Sequence, residues 1–242
     1  MEGIGLLSVV MPAHDEEASL APAVREVVHG LRGRGLGFEV LVVENGSTDD
    51  TVAIAEALAD ELPEVSTFSL DEADYGLALK RGFASAAGDL VAIFDVDYYD
   101  LTFLDWALTV INEPDGPAIV VASKRGAGSV DTRALSRRLV TSGFSLILRA
   151  GFGLEVTDTH GMKVLRRALL TELAATCRFG TDLFDTELIL RAQRAGMKIV
   201  EIPVNVAETR PSRSSIARRI PRTVGGLIRL RLALWQERLA GR

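Results

Sequence analysis

The chain has 242 residues, 48% of them hydrophobic and 25% charged, with a net charge of −6, which fits one α/β domain able to bury a sizeable core. Its one cysteine, Cys177, excludes an intramolecular disulfide and suits a reducing compartment, where a lone thiol most often serves as a small buried apolar group. Met1-Glu2-Gly3 lacks the basic-then-apolar order of a secretory signal, and no apolar run reaches the roughly 18 residues of a spanning helix, so a cytoplasmic setting is expected.

A first strand, Leu6 to Met11, ends in Pro12-Ala13-His14-Asp15-Glu16-Glu17 and leads into an amphipathic helix from about Ala18 to Leu31. A second strand, Phe38 to Val43, ends in Glu44-Asn45-Gly46-Ser47-Thr48-Asp49-Asp50-Thr51, where Ser47 or Thr48 is placed to cap the next helix. Asp49 and Asp50 would complement that helix's dipole, whereas Glu44 precedes the turn and has no such explanation. Strands near Val65, Leu90 and Ala118 alternate with helices near Thr51, Leu77 and Leu101, the pattern of a largely parallel, doubly wound sheet. The run Leu90 to Phe94 delivers Asp95-Val96-Asp97 at its carboxyl end, where such sheets bind ligands. Two Asp at i, i+2 on a strand point the same way and can share one hard divalent cation. A basic loop, Lys124 to Ser129, then precedes a long helix from about Thr132 to Ala150. A short strand at Met162 to Leu165, a helix at Leu183 to Ala195 and a strand at Lys198 to Val204 complete a second half expected to form the acceptor side.

Four of these segments, in this order, resemble the family 2 glycosyltransferases of the GT-A fold. The family pattern is a first strand ending in Pro-x-x-Asn-Glu, a second in Asp-Asp-Gly-Ser-Thr-Asp, a Gly-rich helix start and a strand ending in Asp-x-Asp. Here they read Pro12 to Glu16, Glu44 to Asp49, Gly76-Leu77-Ala78 with Lys80, and Asp95-Val96-Asp97. The resemblance continues through Gly88-Asp89, Thr157-Asp158 with Gly161, and Phe184-Asp185-Thr186-Glu187-Leu188 with Arg191, over about residues 6 to 215. It is strongest to the dolichyl- or polyprenyl-phosphate sugar synthases. A GT-A catalytic domain over residues 1–215 and a basic amphipathic tail over 216–242 are therefore expected.

The resemblance implies a nucleotide-sugar donor, GDP-mannose or UDP-glucose, with Pro12, Ala13, Glu16, Glu44, Ser47 and Gly76 lining its pocket and Asp95 beside them. It implies Mg²⁺ or Mn²⁺ held by Asp97 with Asp95 against the diphosphate. Asp185 falls on the general base that a hydroxyl acceptor requires, with Phe184 in place of the preceding Glu. A polyprenyl phosphate, mostly dianionic at neutral pH because its second pKa is near 6, needs cations instead. Lys124, Arg137, Arg138, Arg210 and Arg213 match the basic positions of the phosphate-acceptor enzymes. The resemblance thus implies an inverting hexosyltransferase acting on a polyprenyl phosphate. Transfer to a soluble hydroxyl with Asp185 as base, and a catalytically silent nucleotide-sugar binding or scaffold protein, stand beside it. Glu44-Asn45 in place of Asp-Asp, and Tyr98-Tyr99-Asp100 after the acidic pair, leave base and sugar unassigned. His14 replaces a common aromatic and is placed to stack on the base, while His160 lies beside the Asp158 element.

The tail differs physically from the body. From Arg210 to Arg242 nine Arg face a single acid, Glu237, which puts +8 there and −14 on residues 1–209. Ile216 to Leu239 reads as a helix with Leu227, Ile228, Leu230, Leu232, Leu234 and Trp235 interrupted by Arg229 and Arg231, suited to lying on an anionic membrane surface, with Leu227, Ile228, Leu234 and Trp235 as the buried residues. Packing on the domain or on a second copy is the alternative, and the acidic body argues against nucleic acid.

Overall fold

The computed structural model describes residues 5–124, 135–180, 183–205 and 216–240. Among these described residues, seven strands and eight helices run in the order β1 (Leu7–Ala13), α1 (Leu20–Arg32), β2 (Phe38–Asn45), α2 (Thr51–Glu61), β3 (Val65–Leu70), α3 (Tyr75–Ser85), β4 (Leu90–Ile93), α4 (Leu101–Ile111), β5 (Ile119–Ser123), α5 (Leu135–Phe152), β6 (Lys163–Arg166), α6 (Arg167–Thr176), α7 (Phe184–Arg194), β7 (Ile199–Pro203) and α8 (Ile216–Ala240). They build one sheet of order β3-β2-β1-β4-β6-β5-β7. All pairings are parallel except those of β6, which runs antiparallel to both β4 and β5.

Burial on both faces explains why the strands read as continuous apolar runs rather than alternating ones. Val9, Met11, Val40 and Val42 pack under α1, α2 and α4 with Leu20, Val24, Leu58, Phe103 and Leu104. Their neighbours Val10, Leu41 and Val43 point the other way, into a second core with Leu79 and Phe83 of α3, Phe184 and Leu188 of α7, and Leu227, Leu230 and Leu234 of α8. The C-terminal helix therefore closes the second core. Leu227 and Leu234, expected on a membrane, are instead 4% and 3% exposed.

β1 extends two residues past the expected Met11, through Pro12, which pairs with Val43. Proline is tolerated because β4 stops pairing at Val10, so the missing N–H lies beyond the ladder on that flank. Helix α6 had no counterpart in the sequence reading; it starts directly after β6 at Arg166, with no capping side chain to signal it. Ser47 and Thr48 do not cap α2. The Asp49 carboxylate accepts the Thr51 N–H at 3.0 Å, while Ser47 Oγ accepts from Asp15. Among the described residues, no helix is long and apolar enough to cross a membrane.

Candidate active site

The carboxyl ends of β1, β2, β4 and β5 meet the start of β6 on one edge of the sheet. Because β6 is antiparallel, its first residue, Lys163, pairs with Ile93 at the end of β4 and with Val121 near the end of β5. A side chain from the second half of the chain is thereby set beside the acidic turn after β4.

The first two loops are laced together. Asp15, held at φ 53°, accepts the Thr48 N–H on Oδ1 at 2.8 Å and gives its own N–H to Ser47 Oγ at 3.0 Å. The Glu16 N–H donates to Thr51 Oγ1 at 2.8 Å and the Glu17 N–H to Asp49 Oδ2 at 3.2 Å. Asp shares the left-handed region with Asn more readily than other side chains do, which suits this bend. Glu44 is buried and spends Oε1 on the Ser47 N–H at 2.5 Å. His14 is exposed above them, its Nδ1 2.9 Å from the Asn45 carbonyl. With its amide oriented to suit its neighbours, Asn45 donates to the Ala13 carbonyl and accepts from the Tyr75 N–H, joining both loops to α3. Pro12 and Ala13 are buried, Glu16 and Ser47 half-buried. Gly76 is buried too, and a Cβ there would lie 2.8 Å from Gly180 Cα, so the glycine makes room for the protein's own chain.

The acidic pair does not sit on a strand. β4 ends at Ile93, and Asp95 to Tyr98 form a tight turn in which the Tyr98 N–H donates to the Asp95 carbonyl at 3.1 Å. Phe94 and Val96, which flank Asp95, are both buried. Asp95 points inward and accepts from the Tyr75 hydroxyl at 3.3 Å, whereas Asp97 is exposed. Burial, reinforced by the charge of Asp185, pushes the Asp95 carboxyl up to about 6, against the pull of Lys163. The same surroundings raise the Tyr75 hydroxyl well above its usual range, first through burial and then through Asp185 and Asp95.

Asp185, at the start of α7, is buried against a fully buried ammonium: Lys163 Nζ lies 3.1 Å from Asp185 Oδ2 and donates to the Gly161 carbonyl at 2.8 Å. Asp185 Oδ1 is buried without a hydrogen-bond partner, as is Asp158 Oδ2. Asp158 Oδ1 accepts from the His160 N–H at 3.0 Å, and a Thr159–Thr186 hydroxyl contact at 2.9 Å ties its loop to α7. Lys124 follows β5, its ammonium 4.5 Å from the Tyr98 ring centre. The sequence reading missed Lys163. A lysine in a short strand ordinarily reads as a surface residue, and nothing local reveals the strand's direction.

The backbone of Arg137 and Arg138 lies in α5, but their side chains, and all of Arg210 and Arg213, fall outside the described residues. Arg191 bridges two acids, Glu187 at 2.8 Å and Glu237 of α8 at 3.0 Å through both terminal nitrogens. Buried Glu187 in turn accepts the Arg178 and Phe179 N–H groups. Cys177 is buried, and burial pushes its thiol up to about 12, so it behaves as an inert apolar group.

This sheet order, with an acidic turn at its ligand edge, is that of a GT-A glycosyltransferase. Residues 8–174 match the model of Glycosyl transferase family 2, and the chain belongs to that family. It is 30% identical over 204 residues to Glycosyltransferase AglD of Haloferax volcanii, covering 82% of this chain and 32% of that protein. The chain thus spans about a third of that relative's length. Dolichyl-phosphate beta-glucosyltransferase ALG5A of Trichomonas vaginalis is 27% identical over 224 residues, covering 87% of this chain and 68% of that protein. Among solved structures it resembles Mycobacterium tuberculosis glucosyl-3-phosphoglycerate synthase in complex with Mn²⁺, UDP and glucosyl-3-phosphoglycerate, with a TM-score of 0.67 and 22% identity over 96% of this chain and 80% of that one. Mannosyl-3-phosphoglycerate synthase from Rubrobacter xylanophilus gives a TM-score of 0.64 at 18% identity, covering 99% and 76%.

Proposed function

We propose that the protein is an inverting, metal-dependent transferase that moves a hexose from a nucleotide-diphosphate sugar to a polyprenyl phosphate. The observation that carries this reading is a cation beside the acidic turn: the Lys124 ammonium lies over the Tyr98 ring, 4.5 Å from its centre, and acts electrostatically on Asp95. Carboxylates suit a hard cation and hydroxyl groups, whereas ammoniums suit an anionic acceptor.

Asp95 and Asp97 offer hard oxygen donors, and no three His, Cys, Asp or Glu side chains gather into a closed cage among the described residues. Such a pair fits Mg²⁺ or Mn²⁺, which would take its remaining ligands from diphosphate and water. When bound, the ion would supply charge neutralisation to the departing diphosphate. Glu16, Glu44, Ser47 and His14 frame the pocket expected to hold ribose and base. Glu44 has one oxygen committed to the turn, so at most the other faces ligand. Asp185 Oδ1, buried and unpartnered, is suited to accept a hydrogen bond from a sugar hydroxyl. The acceptor phosphate carries its own nucleophilic oxygen, and Lys124 draws it to the mouth.

The likeness to the phosphoglycerate-using synthases supports a second reading, a soluble hydroxyl acceptor deprotonated by Asp185. Labelled UDP-glucose or GDP-mannose, offered with a short polyprenyl phosphate or with 3-phosphoglycerate, separates the two. Label extracted into organic solvent and lost with EDTA is the expected result. Transfer to 3-phosphoglycerate alone would replace the first reading with the second, and no transfer to either would leave the silent-binder alternative.

The ion should also compete with a proton. The folded-state Asp95 carboxyl is raised above its unfolded value, so the metal-free fold loses Asp95's contribution as pH rises through about 6. Cation binding opposes that loss. The thermal shift produced by Mn²⁺ should therefore grow between about pH 5 and 7 and level off above. A shift that is flat across that range would remove Asp95 from the cation's shell.

A further inference from the structure

Helix α8 has two apolar faces, and only one is used by the protein. Leu227, Leu230 and Leu234 fill the second core. Val224, Ile228, Leu232, Trp235 and Leu239 remain 42–58% exposed. Their spacing of four, four, three and four confines them to a stripe about 80° wide, turned away from the buried face. Arg229 and Arg231, both exposed, flank the stripe on opposite sides. Arg231 lies over the Phe152 ring and donates to the Gly151 carbonyl, so its side chain runs along α5. The helix's single acid, Glu237, faces the body, where Arg191 and Arg178 each lie 3.0 Å from it.

We infer that this outward stripe of α8 is a docking face for an anionic lipid bilayer, into which Ile228, Leu232, Trp235 and Leu239 insert while Arg229 meets headgroup phosphates. The charge pattern chooses the occupant. Two copies paired through the stripe would set Arg229 and Arg231 against each other in a stretch with nine Arg and one acid, and that acid is already engaged. An anionic surface meets the same cations with opposite sign, and the Arg229 stem reaches past a buried apolar stripe to the headgroups. The body, at −14 over residues 1–209, repels such a surface elsewhere, so the attraction also orients the molecule. The inference rests on the packing of α8 and stands whichever acceptor the active site uses.

Co-sedimentation of the full chain with phosphatidylcholine vesicles, with and without phosphatidylglycerol, tests it. Binding should require the anionic lipid and weaken strongly as salt rises from about 0.1 to 1 M, where the Debye length falls from roughly 10 to 3 Å. Ile228→Asp with Trp235→Asp should lower partitioning by about tenfold or more. Thermal unfolding of that variant should match the parent, because both positions lie outside the core. Failure of the parent to bind anionic vesicles would overturn the inference, as would equal binding by the variant. A parent that elutes as a dimer, a variant that elutes as a monomer and vesicle binding by neither would assign the stripe to a second copy instead.

Discussion

Asp97→Ala should lower sugar transfer by about 10³-fold or more, with no recovery in excess Mn²⁺ or Mg²⁺. Charge stabilisation by a bound cation is worth several kcal/mol, and each 1.36 kcal/mol is a factor of ten in rate. Asp97 is exposed in its turn, so folding should be unchanged to within about 0.5 kcal/mol. The nucleoside monophosphate should bind the variant as well as the parent, because the first two loops hold together through Asp15, Ser47 and Thr51 without Asp97. Calorimetry with the monophosphate, beside initial rates at several cation concentrations, separates these effects. Undiminished transfer by the variant would remove Asp97 from the metal site.

Lys163→Met should destabilise the fold by about 3–5 kcal/mol, because it strands the Asp185 carboxylate in a buried site. For a domain of this size that lowers Tm by roughly 6–20 °C. Adding Asp185→Leu should restore much of the loss, since a well-packed apolar pair in such a place is often no worse than an ion pair. A double variant no more stable than Lys163→Met alone would mean that the pair is not what holds this region. Activity adds an independent answer through Asp185→Asn. With a phosphate acceptor no proton must be removed and the rate should fall only modestly; with a hydroxyl acceptor the missing base should cost about 10² to 10⁴. A collapse of that size in a folded variant would overturn the lipid-phosphate reading.

Much of the first half was legible because its signals are local. Each strand is a short apolar run ending in polar turn residues, and each tip is adjacent in sequence to the strand that places it, as Glu44 is to β2. The geometry of Asp95 and Asp97 was not legible. Strand periodicity aligns residues i and i+2, but β4 ends at Ile93 and the chain turns between Asp95 and Tyr98. In the second half the deciding facts are non-local. The antiparallel entry of β6 brings Lys163 to the site, and the Lys163–Asp185 pair spans 22 positions with no pattern between them. Helix α8 shows the same limit: leucines of one type serve the core at 227, 230 and 234 and the surface at 232 and 239, and only the docked helix tells them apart.

The closing of the second core by α8 gives the molecule an order of assembly. The face formed by α3, α6 and α7 lacks part of its cover until residues 227–234 arrive, and Arg191 has no Glu237 to meet before then. During synthesis, the half that carries Asp15, Glu44 and the acidic turn can collapse on α1, α2 and α4 while the opposite half waits for the C-terminal helix, the kind of domain intermediate that chaperones shield. Nascent chains arrested before residue 216 should therefore bind a hydrophobic dye and be cut readily by protease. Extension past Glu237 should end both sensitivities together, as the last helix latches into place.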